Sequence, residues 1–122
     1  MNWRVEFHDE FFKEFQTFDD DVQDSIVAKA KLLEVFGSKL GRPHVDTLIG
    51  SPFANMKELR VDAGRGVWRI AFAFDPERKA ILLVAGDKKG RSQKRFYKEL
   101  LRIANSRFEQ HLTNLKRKKS WP

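Results

Sequence analysis

The sequence predicts one small α+β domain in the order β-α-α-β-β-β-α, and three patterns predict it. Phe11, Phe12, Phe15 and Phe18, followed by Val22, Ile26, Ala30 and Leu33, recur at helical spacing. Three strand-like segments between residues 56 and 86 are separated by turn signals that carry Gly or Pro. A last helical stripe, Leu100, Leu101, Ala104, Phe108 and Leu112, lies near the end of the chain. At 122 residues the chain is one domain's worth of protein. The expected domain covers residues 1–115, and 116–122 read as a basic tail.

Each element follows from local chemistry. Trp3-Arg4-Val5-Glu6-Phe7 alternates apolar and polar side chains, as a short strand does. The Phe-rich stripe makes a first helix. Asp19-Asp20-Asp21 suits the N-terminus of a second, which stops near Gly37, and the two form an αα-hairpin. Residues 38–55, with Gly41, Pro43, Gly50 and Pro52, read as an irregular connection. Met56 to Asp62 is a strand. Ala63-Gly64-Arg65-Gly66 is a turn, and Val67 to Phe74 is the clearest strand. There Trp68, Ile70, Phe72 and Phe74 share one face, and Val67, Arg69, Ala71 and Ala73 the other. Asp75-Pro76-Glu77-Arg78 turns again into Ala80 to Gly86, whose unbroken apolar run fits a central strand covered on both faces. Strands in this order pair as an antiparallel meander. The last helix begins at Ser92.

Composition narrows the function. There is no cysteine, hence no disulfide scaffold and no thiolate metal site. No apolar run approaches a membrane span, and Met1 to Glu6 lack the apolar core of a signal peptide. The expectation is a cytosolic, bacterial-type domain. Residues 1–36 hold four basic and nine acidic side chains, a net of −5, whereas residues 37–122 hold twenty and eight, a net of +12. A strongly basic portion points to a polyanion, most often nucleic acid; a solvated basic surface is the alternative.

The candidate site residues sit in that basic portion. Arg69 stands mid-strand among small neighbours, where a guanidinium can grip a phosphate with two parallel hydrogen bonds or simply cover the rim of the sheet. Glu58 and Arg60 alternate onto the polar face of the preceding strand and can neighbour Arg69 across the hairpin, as an ion pair or as an aid to a ligand. Lys88, Lys89, Arg91, Lys94 and Arg95 crowd the entry to the last helix, where Tyr97 can stack on an unpaired base. His8 is expected to begin the first helix, His44 to lie in the loop and His111 to face outward. They share no metal-ligand spacing, and neither a metal nor another cofactor is expected.

In order and spacing these motifs resemble the RelE/ParE toxin superfamily, most closely its HigB branch, the phage Gp49-like family. The likeness rests on Lys57-Glu58-Leu59-Arg60, a glycine turn, Trp68-Arg69-Ile70-Ala71-Phe72, Ile81-Leu82-Leu83-Val84-Ala85-Gly86 and Lys88-Lys89. Pro43, Leu48, Gly50, Ala104 and Arg107 add to it. The resemblance implies a RelE-like sheet core with an N-terminal αα-hairpin and a C-terminal helix. It further implies the toxin of a type II toxin–antitoxin pair, a ribosome-dependent and metal-independent mRNA endoribonuclease that leaves a cyclic phosphate. Its partners would be mRNA on the ribosome and a HigA-like helix-turn-helix antitoxin, with operator DNA reached only through the antitoxin complex and no membrane involved. Carried over by position, Arg69 matches the strand arginine that grips phosphate, Lys88 the basic residue after the last strand and Tyr97 a stacking or acid–base aromatic. Lys57, Arg60, Arg91, Lys94 and Arg95 would contact RNA. Lys57 alternates to the far side of its strand, so the general base is left among Glu58, Lys88, Lys89 and His44. ParE members share the fold and inhibit DNA gyrase instead, which is the alternative reading; a non-catalytic nucleic-acid-binding domain is the third.

Overall fold

The computed structural model describes residues 3–119. The chain runs β1 (Arg4–Phe7), α1 (Asp9–Phe15), α2 (Asp20–Phe36), a short 3-10 turn (Gly37–Lys39), β2 (Val45–Thr47), β3 (Met56–Ala63), β4 (Gly66–Phe74), β5 (Lys79–Asp87) and α3 (Gln93–Lys119). The strands form one sheet in the order β1-β5-β4-β3-β2. The meander β3-β4-β5 is antiparallel throughout, and β1 returns to pair in parallel with β5. The apolar run of residues 80–86 is therefore central, as its composition predicts.

Two expectations change. Residues 38–55 contain an edge strand, β2, paired antiparallel with β3 from Val45 opposite Leu59 to Thr47 opposite Lys57. Three residues are too few to show an alternation. Residues 116–119 are not a separate tail: α3 continues to Lys119, where four successive cations suit the negative end of the helix dipole. Residues 120–122 lie outside the described part.

The sheet separates two cores. On one face α1 and α2 cover Leu59, Val61, Ile70, Phe72, Phe74 and Leu82 with Phe11, Phe15, Ile26 and Leu33. On the other, α3 lays Phe96, Leu100, Ala104 and Phe108 over Met56, Ala71, Ala73, Ile81 and Leu83. No described helix is long and apolar enough to cross a membrane.

The ladder of β4 with β5 slips between Ala71 and Phe72, whose partners are Val84 and Leu82, so Leu83 is the extra residue of a β-bulge. Its carbonyl accepts a hydrogen bond from Arg107 Nη1 at 2.8 Å. The same guanidinium grips both oxygens of Glu14 at 2.8 and 2.6 Å, which ties α3, β5 and α1 together.

Gly37 closes α2 at φ +55°, and a Cβ there would land inside the Trp3 indole. Trp3 cannot retreat freely, because its backbone N–H donates to the Glu34 carbonyl at 2.7 Å and its ring packs against Phe74 and Arg78. Gly37→Ala is expected to cost roughly 2–4 kcal/mol, from a strained backbone and an overfilled contact together. Denaturant unfolding measures it, and a loss below half a kcal/mol would contradict this packing.

Candidate active site

β3 and β4 place Glu58 and Arg60 beside Arg69 on the α3 face, with Arg60 directly opposite Arg69. Glu58 is buried, and α3 brings Tyr97 across to it. The Tyr97 hydroxyl donates to Glu58 Oε1 at 2.6 Å. Arg69 Nε lies 3.6 Å from the same oxygen, and Arg60 Nη2 lies 3.3 Å from Oε2. Arg60 reaches back as well to Asp46 Oδ2 of β2, at 3.2 Å, and Arg42 shares that oxygen at 3.0 Å. The result is a chain of alternating charge: Arg42, Asp46, Arg60, Glu58, Arg69. Its buried centre is a carboxylate hydrogen-bonded to a phenol.

Lys88 joins from the end of β5, its Nζ 5.7 Å from the centre of the Tyr97 ring. With Glu58, Arg60, Gln93, Tyr97 and the β2 edge it lines an open cleft of about 350 Å³. Arg69 lies beneath this floor. Its Nη1 donates to the Trp68 carbonyl at 2.9 Å, and its buried Nε has no hydrogen-bond partner in the protein. The nearest anions are carboxylates of the protein itself, Glu58 Oε1 at 3.6 Å from Nε and Asp62 Oδ1 at 3.8 Å from Nη1, so Arg69 is a buried, ion-paired cation under the cleft.

Gly86, opposite Arg69, has a local purpose. A Cβ there would meet the Phe96 ring at 2.8 Å, so glycine lets the start of α3 lie close to the sheet and carry Tyr97 to Glu58.

The Tyr97 hydroxyl is pushed up to about 12, first by burial and then by the Glu58 carboxylate that it hydrogen-bonds, with Arg69 opposing in part. It is therefore a proton donor across the physiological range. Tyr97 is the only tyrosine in the chain, so its titration is directly visible. Spectrophotometric titration should find ionisation near pH 12 in the folded protein, against about 10 for an unperturbed phenol. Because the folded value is raised, the stability it contributes is complete below pH 10 and lost as pH rises through 12. A folded protein whose tyrosine titrates at 10 would contradict the buried Glu58 contact.

The structure gathers Glu58, Arg60, Arg69, Lys88 and Tyr97, and it leaves other candidates apart. Lys57 pairs with Phe72 and shares the α2 face of β3 with Leu59, so it does not reach the cleft. Lys89, Lys94 and Arg95 are exposed and do not line it. Arg91 lies over Phe96, 5.7 Å from its ring centre, in a separate recess with Glu99. His44 is drawn to the α2 side, where Lys29 Nζ sits 2.7 Å from its Nδ1, which leaves Lys88 and Glu58 as the candidate bases in the cleft. His8 caps α1 as predicted. His111 does not face outward: its Nε2 lies 2.8 Å from buried Asp75. Among the described residues no group of three His, Asp or Glu side chains could hold a metal ion. Asp46 was not foreseeable, because it sits on the strand too short to read.

A family model described as phage-derived protein Gp49-like matches residues 13–109. Putative toxin HigB3 of Mycobacterium tuberculosis is 47% identical over 100 residues, covering 82% of this chain and 85% of that protein. Putative toxin HigB2 of the same organism is 45% identical over 95 residues, covering 77% of this chain and 47% of that protein. The chain thus spans about half the length of this second relative. Among solved structures, a doubly substituted mutant of Escherichia coli RelE in the free state superposes with a TM-score of 0.63 at 15% identity, over 88% of this chain and 98% of that one. An archaeal RelE–RelB complex from Pyrococcus horikoshii gives 0.54 at 18% identity, over 75% of this chain and all of the other. At such identities the structures speak for the fold, which they share.

Proposed function

The chain belongs to the phage-derived Gp49-like family, and from that premise we propose that it is the toxin of a type II toxin–antitoxin system that cuts mRNA on the ribosome. The observation that carries the reading is the Glu58–Tyr97 pair, 2.6 Å apart, with Arg60, Arg69 and Lys88 around it in a cleft open to solvent.

The chemistry suits ribose-assisted cleavage. Glu58 takes the proton of the 2′-hydroxyl, and O2′ attacks the adjacent phosphorus. The P–O5′ bond breaks as Tyr97 protonates the leaving oxygen, and the products are a 2′,3′-cyclic phosphate and a 5′-hydroxyl. The Glu58–Tyr97 hydrogen bond then returns the proton to the phenol. Arg60, Arg69 and Lys88 stabilise charge on the phosphorane, where fixed cations act chiefly on the transition state. Arg91, Lys94 and Arg95, outside the cleft, position ribosome or mRNA phosphates. The toxin acts in the bacterial cytoplasm, where its ribosomes are, and a separately encoded helix-turn-helix antitoxin neutralises it and carries the pair to operator DNA.

Induced expression tests this reading through two readouts. Mapped mRNA cuts with unchanged plasmid supercoiling support it, whereas relaxed or broken DNA with intact mRNA would make the protein a gyrase inhibitor. Salt supplies a further prediction. Ribosome affinity should fall by about one log unit per log unit of salt for each phosphate neutralised, and a flat response would contradict polyanion binding.

A further inference from the structure

β5 changes face at its bulge. Before it, Ala80 and Leu82 point to α1 and α2, and Ile81 and Leu83 point to α3. Leu83 and Val84 then both point to α3, after which the parity is reversed: Ala85 packs with the α2 core, and Asp87 pairs with Trp68 on that side. Gly86 and Lys88 consequently fall on the face of Arg69, Glu58 and Tyr97. An unbulged β5 would present Asp87 to the cleft and turn Lys88 away, which replaces a cation with a second carboxylate beside Glu58. The bulge decides the sign of that position.

Arg107 holds the bulge. It stands on α3 remote from the cleft, yet its Nη1 donates to the carbonyl of Leu83, the residue that the β4 ladder skips. Glu14 fixes the guanidinium from the other side through both of its oxygens. Only a planar fork can serve the carboxylate and the carbonyl together.

We propose that Arg107 is a positioning residue: by holding the Leu83 bulge it sets the register of β5 that delivers Lys88 to the cleft. The consequence for cleavage rests on the ribonuclease reading above, whereas the link between Arg107 and Lys88 does not.

The test is a double-mutant cycle on the full chain. Arg107→Ala and Lys88→Ala should each slow single-turnover cleavage on programmed ribosomes by about 10²-fold, and the double variant should be slower by about 10² rather than 10⁴. Arg107→Lys, which keeps one charged donor, should recover part of the rate. Circular dichroism checks that each variant is folded. Glu14→Gln loosens the fork more gently, and its smaller rate loss should likewise vanish in the Lys88→Ala background. Losses that multiply, or a folded Arg107→Ala that cuts at the wild-type rate, would overturn the proposal. If the wild-type protein arrests growth without cutting mRNA, the ribonuclease reading falls by itself. The same cycle is then scored by the inducer dose for half-maximal arrest, where independent effects of Arg107 and Lys88 would still overturn the positioning role.

Discussion

Arg69→Ala should slow single-turnover cleavage by roughly 10²–10³-fold, the usual consequence of removing one donor aimed at developing charge. The guanidinium is buried and ion-paired with Glu58, 3.6 Å from its Nε, without a hydrogen bond at that nitrogen. A phosphorane in the cleft above adds negative charge near this fixed cation, so the attraction strengthens as that charge accumulates. Folding should survive the substitution, because Glu58 keeps Arg60 at 3.3 Å and Tyr97 at 2.6 Å. We expect a stability loss of about 1–3 kcal/mol, which is the order for a broken charged hydrogen-bond partnership. Quenched-flow cleavage, with thermal unfolding of the same preparation, separates the two effects. A folded variant with wild-type cleavage would remove Arg69 from the chemistry.

Glu58→Gln should lower the rate by about 10²–10⁴-fold, the range for loss of a positioned general base. Its signature is a split between rate and affinity. The carboxylate now occupies Arg60 and approaches Arg69, so neutralising it frees both cations for phosphate. Ribosome affinity should hold or tighten while the rate falls. The variant should also ionise Tyr97 at lower pH than the wild type does. It should remain above the ordinary phenol value, because burial, the leading cause, stays. Equal losses of affinity and rate would make Glu58 a structural counterion and shift the base to Lys88.

Much of this site can be read from the sequence, for a definite reason. Strand alternation alone puts Glu58, Arg60 and Arg69 on one face, and a hairpin with a short glycine turn makes them neighbours. The position of Lys88 is less legible, because alternation counted along Ala80–Asp87 gives the wrong parity unless the bulge at Leu83 is known. Lys89 shows the same difficulty: adjacent cations in a loop look equivalent in sequence, yet one lines the cleft and the other faces solvent. The Tyr97–Glu58 contact spans 39 residues and depends on how closely α3 approaches Gly86, which no local pattern reveals. His111 reads as outward-facing because its partner, Asp75, looks like an ordinary turn residue in sequence while its side chain is fully buried in the structure. The αα-hairpin follows from periodicity because it buries one regular face, and the meander follows from apolar runs bounded by turn signals because both of its faces are covered. The strand β2 does not, because it is three residues of sheet edge.

The most direct measurement is the chemistry of the cut ends. Purified protein is mixed with ribosomes programmed with a defined mRNA, and the 3′ ends of the fragments are analysed beside those from the Glu58→Gln variant. Transfer of the 2′-hydroxyl proton to Glu58 predicts 2′,3′-cyclic phosphate on the upstream fragment, a 5′-hydroxyl downstream and a strong loss of both in the variant. Fragments bearing a 3′-hydroxyl and a 5′-phosphate, or cyclic ends formed as fast by Glu58→Gln as by the wild type, would contradict the account.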